Sequence, residues 1–299
     1  MYKFCKEAFE SYKKMKIFCF IVFIFVLVGC SRNSFKNDKI EGTIHFSIDD
    51  VNAVFKDLTN NKDKYNSLFE QSFFRYLRNL HERYDAKVTL YCFYDFNDFC
   101  LKDCTTKYSE EFQSCSDWLK LGYHAYNARD IFNGGGYQKF IDAVFKITGS
   151  KQCVSQTVRL DRFLGEYKEI SENSFEKNPL GIKQLLTADS KTRHSYYLSE
   201  EAQKEIANFE KWNDSSNSID FYVTDFRFDN YKEFPNLLNE NDREKEIVVF
   251  THEWLLFFPM RKNLLAYFQK IYKAKRIKEN INDCFEHLMK EGYVFTTEF

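Results

Sequence analysis

The segment GTIHFSIDDV, residues 42–51, alternates apolar and polar residues from Ile44 to Ile48 and then presents two adjacent carboxylates, Asp49 and Asp50. Neighbouring negative charges repel, so a fold that keeps both at a strand end has a use for them. Side chains able to work with them recur along the chain. His124 ends LGYH; Arg159, Asp161 and Arg162 crowd into TVRLDR; Asp189 ends LLTAD; Asp225 lies in YVTDFR; Thr251, His252 and Glu253 close VVFTHE. A carboxylate and a histidine can hold a divalent cation through O and N donors and leave positions open for water and substrate. Such a cation lowers the pKa of its water and polarises a carbonyl oxygen. The second carboxylate can then act as general base, and a remote protonated histidine can give a proton to a leaving amine or alkoxide. The chemistry indicated is hydrolysis of an amide or ester. A glycosidase built from Asp49, Asp161, Asp189, Asp225 or Glu253 is an alternative. It needs two carboxyl groups about 5–10 Å apart across a cleft, which neighbours on one strand do not supply.

Each residue also has a plainer use. Asp49 or Asp50 can cap the helix that follows, and His124 can be a buried imidazole bonded to a backbone carbonyl. Arg159, Asp161 and Arg162 can form a charge network that ties strands together. His45, His81 and His287 receive no role, and His194 lies in a loop near the Asp189 strand.

The elements that must position these groups alternate. Strands are expected at 43–48, 87–94, 121–126, 153–160, 182–188, 219–228 and 246–252, with a short one in the terminal YVFTT. Helical spacing of apolar residues runs from Tyr65 to Leu80 and from Tyr137 to Phe145. Further helices are expected around Trp118, at 199–211, at 261–276 and around 280–290. Alternation of this kind makes an α/β fold with a mostly parallel sheet: a single (β/α) barrel-like domain of seven to eight strands over 42–299, with an open doubly wound sheet as the alternative. In such folds the loops at the carboxyl ends of the strands converge, and the charged residues above sit at those ends. The glycines at 134–136 lack the Lys-Ser/Thr of a phosphate loop and the spacing of a dinucleotide fingerprint, so they read as a turn before a helix.

IHFSIDDV resembles the first motif of the polysaccharide deacetylase superfamily (NodB homology, carbohydrate esterase family 4), whose fold is a distorted (β/α) barrel. The resemblance implies Asp49 as catalytic base and Asp50 as metal ligand. LGYHAYN is similar to the second motif, which makes His124 a metal ligand. TVRLDR is similar to the third, through Arg159, which would orient the base or bind substrate. VVFTHEW is similar to the last, through His252, as acid or third ligand. The second motif carries another histidine four residues after the first; here Ala128 takes that place, and Asn127 or His252 is the candidate substitute. Val51 follows the aspartates where glycine is usual. The implied function is removal of an acyl group, acetyl for instance, from a cell-envelope or dietary glycan. The metal would be Zn²⁺, with Mn²⁺, Co²⁺ or Ni²⁺ also suited to mixed O/N ligation. Asp161, Arg162, Asp189, Asp225 and Trp254 are candidate substrate contacts. A glycan-binding surface lipoprotein without turnover is the second reading, favoured by the missing histidine.

The N-terminus bears on location. Lys13, Lys14 and Lys16 precede an apolar run ending at Gly29, the pattern of an export signal over residues 1–29, with Met15 a possible start. LVGC resembles the lipobox of bacterial lipoproteins, which implies lipidation of Cys30, a tether over 30–41 and anchorage at an envelope membrane. The chain has 299 residues, with 43 Lys and Arg against 44 Asp and Glu. That balance gives no electrostatic reason to expect nucleic acid; the expected partners are glycan and membrane, and oligomeric state is left open. Apart from Cys5, Cys19 and Cys30, the cysteines are at 92, 100, 104, 115, 153 and 284. Their spacing fits no zinc knuckle, and export favours a loop disulfide from Cys100 or Cys104 to Cys115, with Cys92 simply buried.

Overall fold

The computed structural model describes residues 42–132, 135–163, 165–168, 181–188, 196–209, 211–230, 246–258 and 264–299. Cys30, the tether, Asp189 and His194 lie outside them. The chain opens with β1 (Thr43–Val51) and α1 (Ala53–Asn60), then α2 (Ser72–Tyr84), β2 (Val88–Cys92), a hairpin of β3 (Asp95–Phe96) and β4 (Phe99–Cys100), and α3 (Ser109–Ser114). There follow β5 (Leu119–Ala125), α4 (Ala128–Phe132), α5 (Gly136–Thr148), β6 (Thr157–Leu160), β7 (Gln184–Leu186) and α6 (Glu200–Phe209). The last part holds β8 (Lys211–Asp214), β9 (Ile219–Tyr222), β10 (Phe226–Arg227), β11 (Glu246–His252), α7 (Glu253–Leu256), α8 (Leu264–Lys290) and β12 (Val294–Phe295).

The sheet runs β10-β11-β1-β2-β5-β6-β7-β9-β8, with β12 also on β1, and only the β8–β9 pair is antiparallel. It is strongly curled. Tyr91 of β2, Leu186 of β7, Tyr222 of β9 and Val248 of β11 form one buried cluster. β7 and β11 are five places apart in the strand order, about 24 Å in a flat sheet at ~4.8 Å per strand, so these side chains meet only because the sheet wraps round an interior. The step from β9 to β10 carries the chain from one margin to the other. There the Asp225 N–H donates to the Val248 carbonyl, and the Asp225 carboxylate accepts from the Val248 N–H at 2.8 Å. The expected α/β barrel-like fold is therefore present, as a curled, mostly parallel sheet.

Alternation in β1 now has a meaning. Ile44, Phe46 and Ile48 are fully buried in the large core shared with the helices. Intervening His45, Ser47 and Asp49 are also buried and point the other way, into the barrel. Outside, α2 buries Phe73, Phe74, Leu77, Leu80 and Tyr84, each contributing about 1.5–3 kcal/mol by leaving water.

Several expected boundaries move. The strand at 153–160 begins as a 3₁₀ turn, Lys151–Cys153, and extends only from Thr157. The strand at 219–228 breaks into β9 and β10, because Val223–Asp225 crosses the barrel margin. The two closing helices are one, α8, since Ala274, Ile277, Ile281, Cys284 and Leu288 keep one buried stripe across the polar stretch. Helix α1 and strand β8 were not expected. The loop disulfide is absent: all six described cysteines are free thiols, and Cys104 and Cys115 are buried among apolar neighbours.

Candidate active site

Register pairs the expected residues before any side chain is considered. Asp49 lies opposite His252 on β1 and β11, and His124 lies opposite Arg159 on β5 and β6. Period-two alternation should turn Asp50 away from Asp49. Instead Asp50 adopts φ 59, a left-handed conformation, where the β1–β2 register shifts between Ile48 and Val51. The irregularity inserts a residue and re-aims a side chain, as bulges do, so both carboxylates reach one cavity of about 120 Å³.

Asp49 is almost wholly buried. Arg159 places Nε 3.1 Å from its Oδ2, an ion pair whose N–H is not aligned on the oxygen, and Ser47 Oγ donates to Oδ1 at 3.3 Å. Burial pushes the Asp49 carboxyl above its ordinary pKa, against the charge of Arg159. Arg159 is held from behind: its guanidinium lies 4.6 Å from the Phe250 ring, and both Nη groups donate to Thr224 Oγ1 at 3.4 Å.

Asp50 is more open, and three rings surround it. His124 Nε2 is 3.1 Å from Oδ1, Trp254 Nε1–H donates to Oδ2 at 3.2 Å, and His252 Nε2 is 3.8 Å from Oδ2. Burial works to raise the Asp50 carboxyl; the His124 bond and the charges of His124 and His252 outweigh it and hold the carboxyl low. His124 Nδ1 is 3.0 Å from the Arg159 carbonyl, which can only accept, so Nδ1 carries a proton. In a neutral ring, Nε2 then turns a lone pair towards the Asp50 oxygen. Two lone pairs 3.1 Å apart repel unless a proton or a cation lies between them. The carbonyl-bonded imidazole expected as the plain reading of His124 is thus what orients its other nitrogen, and the Phe93 ring stacked at 4.4 Å fixes its plane.

His252 is oriented in the same manner by a residue the sequence did not single out. Asp229 Oδ2 accepts from His252 Nδ1 at 2.7 Å, and also pairs with Arg227 Nε. Burial works to lower the His252 pKa, and the Asp229 bond with the charges of Asp49, Asp229 and Asp50 outweighs it, so the ring holds its proton above the ordinary histidine range. Asp229 lies four residues after Asp225 in DFRFD, where charged and aromatic residues alternate; that alternation was the signal available.

Glu253, named from the sequence only as a possible glycosidase acid, has a different place. It is buried and accepts the N–H groups of Asn52, Ala53 and Val54 at 3.3, 2.9 and 2.7 Å. These are orphan donors at the start of α1, so Glu253 caps that helix from 200 residues away, and neither Asp49 nor Asp50 does. The cap also locks the end of β11 to the end of β1.

Other expectations fare differently. Asp161 and Arg162 line the cavity. Trp254 does not line it; with Asp50 it lines a second cavity, of about 500 Å³. Asn127 is turned elsewhere: its side-chain oxygen accepts the Asp130 N–H at 3.3 Å at the start of α4, and it lines neither cavity. Asp225 is taken up in tying β10 to β11 rather than in the cavity wall.

Among the described residues, no three or more His, Cys, Asp and Glu side chains are gathered as a ready metal cage. What is present is a pair. Two ligands of one tetrahedral ion with ~2.1 Å bonds lie about 3.4 Å apart, near the 3.1 Å Asp50–His124 separation, and His252 stands further back. The facing lone pairs make that pair a fit for a cation.

No family model and no curated protein matches the chain. Among solved structures it is similar to a candidate polysaccharide deacetylase from Mycobacterium smegmatis, at 12% identity over 88% of this chain and 95% of that one, TM-score 0.41. It is also similar to a polysaccharide deacetylase from Bacillus cereus, at 11% identity over 84% and 89%, TM-score 0.34. A third is a candidate deacetylase involved in O-antigen biosynthesis from Bordetella bronchiseptica, at 11% identity over 80% and 82%, TM-score 0.39. The similarity is structural, at low identity.

Proposed function

We propose that this protein is a metal-dependent hydrolase that removes an acyl group from a glycan. The observation that carries the reading is the division of labour between neighbours: Asp49 is buried on Arg159, whereas Asp50 faces His124 and His252 across the same cavity. Asp50 and His124 would hold a divalent ion, with His252 within a small movement of it; when bound, the ion would polarise a carbonyl and acidify water. Zn²⁺ suits the donors, as do Mn²⁺, Co²⁺ and Ni²⁺.

In this reading Asp49 takes a proton from the attacking water. Its raised pKa makes it a better acceptor than a solvated aspartate, and Arg159 keeps it ionised and aimed. His252, kept protonated by Asp229, gives its proton to the leaving nitrogen or oxygen. Arg159, in turn, is steadied by Thr224 and Phe250. Acetate release from an N- or O-acetylated glycan, lost in Asp49→Asn, tests the reading.

The second reading, glycan binding without turnover, is favoured by one observation: Asn127 is engaged at α4, which leaves His252, 3.8 Å from Asp50, to replace the ligand expected four residues after His124. Stoichiometric metal, lost in an Asp50→Ala/His124→Ala variant, separates the two. The apolar run ending at Gly29, followed by Cys30, supports a lipid-anchored protein at an envelope membrane; retention of the Cys30→Ser protein in the membrane fraction would argue against it.

A further inference from the structure

The cavity over Asp49 and Asp50 is lined by three arginines and three aspartates, unevenly paired. Asp49 is met by Arg159, Asp50 by His124, and Asp229 by Arg227 and His252. Arg162 has no comparable partner. It lines the cavity with a side chain 81% exposed, and its Nε is 3.9 Å from Asp161, the outer limit of an ion pair. Arg227 lines the same cavity and meets Asp229 through Nε.

The backbone puts Arg162 there by an unusual route. Arg162 and Phe163 take φ 51 and φ 58 in succession, a conformation that side chains other than glycine, asparagine and aspartate rarely adopt. Phe163 is thereby buried against the Tyr196 ring, and its carbonyl accepts the Tyr196 N–H at 3.3 Å. With Phe163 directed inwards, its neighbour stands at the mouth of the cavity. Strained turns persist where the surroundings over-determine them, and they gather at binding sites. A guanidinium offers a planar fork of N–H donors matched to the paired oxygens of a carboxylate or phosphate.

We propose that the cavity selects substrates bearing an anionic group, a carboxylate or a phosphate, close to the acyl group removed, with Arg162 as the specificity-determining residue and Arg227 beside it. The inference rests on the hydrolase reading for the acyl group and on the cavity alone for the anion. A neutral sugar leaves Arg162 in water and draws nothing from it. An anionic one replaces that water with a charge-assisted pair, and Asp161 holds the guanidinium at the rim without closing on it.

Calorimetric titration of the full chain with three probes tests this: a neutral N-acetylglucosamine oligomer, one containing N-acetylmuramic acid, and one bearing 6-phosphate. The expected result is that one anionic probe binds at least about tenfold more tightly than the neutral one, with a margin that shrinks as salt is raised. The carboxylate and phosphate arms tell which anion it is. Arg162→Gly should abolish the margin, Arg162→Lys should keep part of it, and Arg162→Glu should invert it. Glycine adopts φ 51 freely, so folding is not at risk in the first variant. Equal affinity for all three probes, no binding of any, or a margin intact in Arg162→Gly overturns the proposal. Acetate release on the same samples is read separately: anion preference without release upholds the subsite and removes the hydrolase, and release without preference does the reverse.

Discussion

Asp49 and Asp50 share a peptide bond, yet one carboxylate lies on a buried arginine and the other lies between two imidazoles. The left-handed φ at Asp50, set in the β1–β2 irregularity, is what lets consecutive residues face one cavity. Each of the other site groups has a second contact that fixes it: Thr224 behind Arg159, the Arg159 carbonyl behind His124, Asp229 behind His252.

Removing the charge of Asp49 separates catalysis from folding. Asp49→Asn should lower the rate about 10²–10⁴-fold, the usual contribution of a positioned general base. It also strands Arg159 as a buried charge without its partner, which should cost about 3–5 kcal/mol. Asp49→Asn/Arg159→Met should recover much of the melting temperature and none of the acetate release. Recovery of both would remove Asp49 from the chemistry.

Glu253 makes a structural prediction of comparable size. Glu253→Ala leaves three N–H groups of α1 unsatisfied in a buried place, and should lower stability by about 1–3 kcal/mol in denaturant titrations. Glu253→Gln, whose oxygen can still accept, should lose less. Equal losses would mean that the carboxylate charge, rather than the capping geometry, matters.

His45 gives a pH dependence with a definite sign. It is fully buried in β1 beside Tyr91, and burial, helped by Arg159, depresses its pKa to about 3. The unfolded chain binds this proton from about pH 6.5 downwards, and the folded protein does not until about pH 3. Stability should therefore fall as pH drops through that window, by about 1.4 kcal/mol per pH unit at most. Urea midpoints of wild type and His45→Phe should diverge between pH 6.5 and 4.5, with the variant flatter; parallel curves would contradict the assignment.

The free thiols predict a labelling pattern. Without reductant, Cys100, which is half-exposed, should react first in the native state, and Cys92, Cys104, Cys115, Cys153 and Cys284 only as the domain opens. A shortfall of two thiols in denaturant would restore the loop disulfide expected from the sequence.

Much of the site was legible because it follows strand ends. Asp49, Asp50, His124, Arg159 and His252 each end or nearly end an apolar run, and a parallel α/β fold brings those ends together. The orienting role of Asp229 and the capping role of Glu253 were not legible, since they depend on neighbours 23 and about 200 positions away. The contact Asn127 makes at the start of α4 was not legible, because a helix-capping amide and a ligand amide have the same sequence. Strand 219–228 misled because its apolar residues continue across the point where the chain changes sheet margins, and α8 because its polar middle interrupts the exposed face only.

The most direct test is the metal content and acetate release of the purified protein with and without the Asp50→Ala/His124→Ala change. The hydrolase account predicts about one divalent ion per chain and acetate release from an acetylated glycan, both removed by a chelator, both restored by Zn²⁺, and both absent from the variant. A wild-type protein that takes up no metal, or a variant that still releases acetate at the wild-type rate, would contradict it.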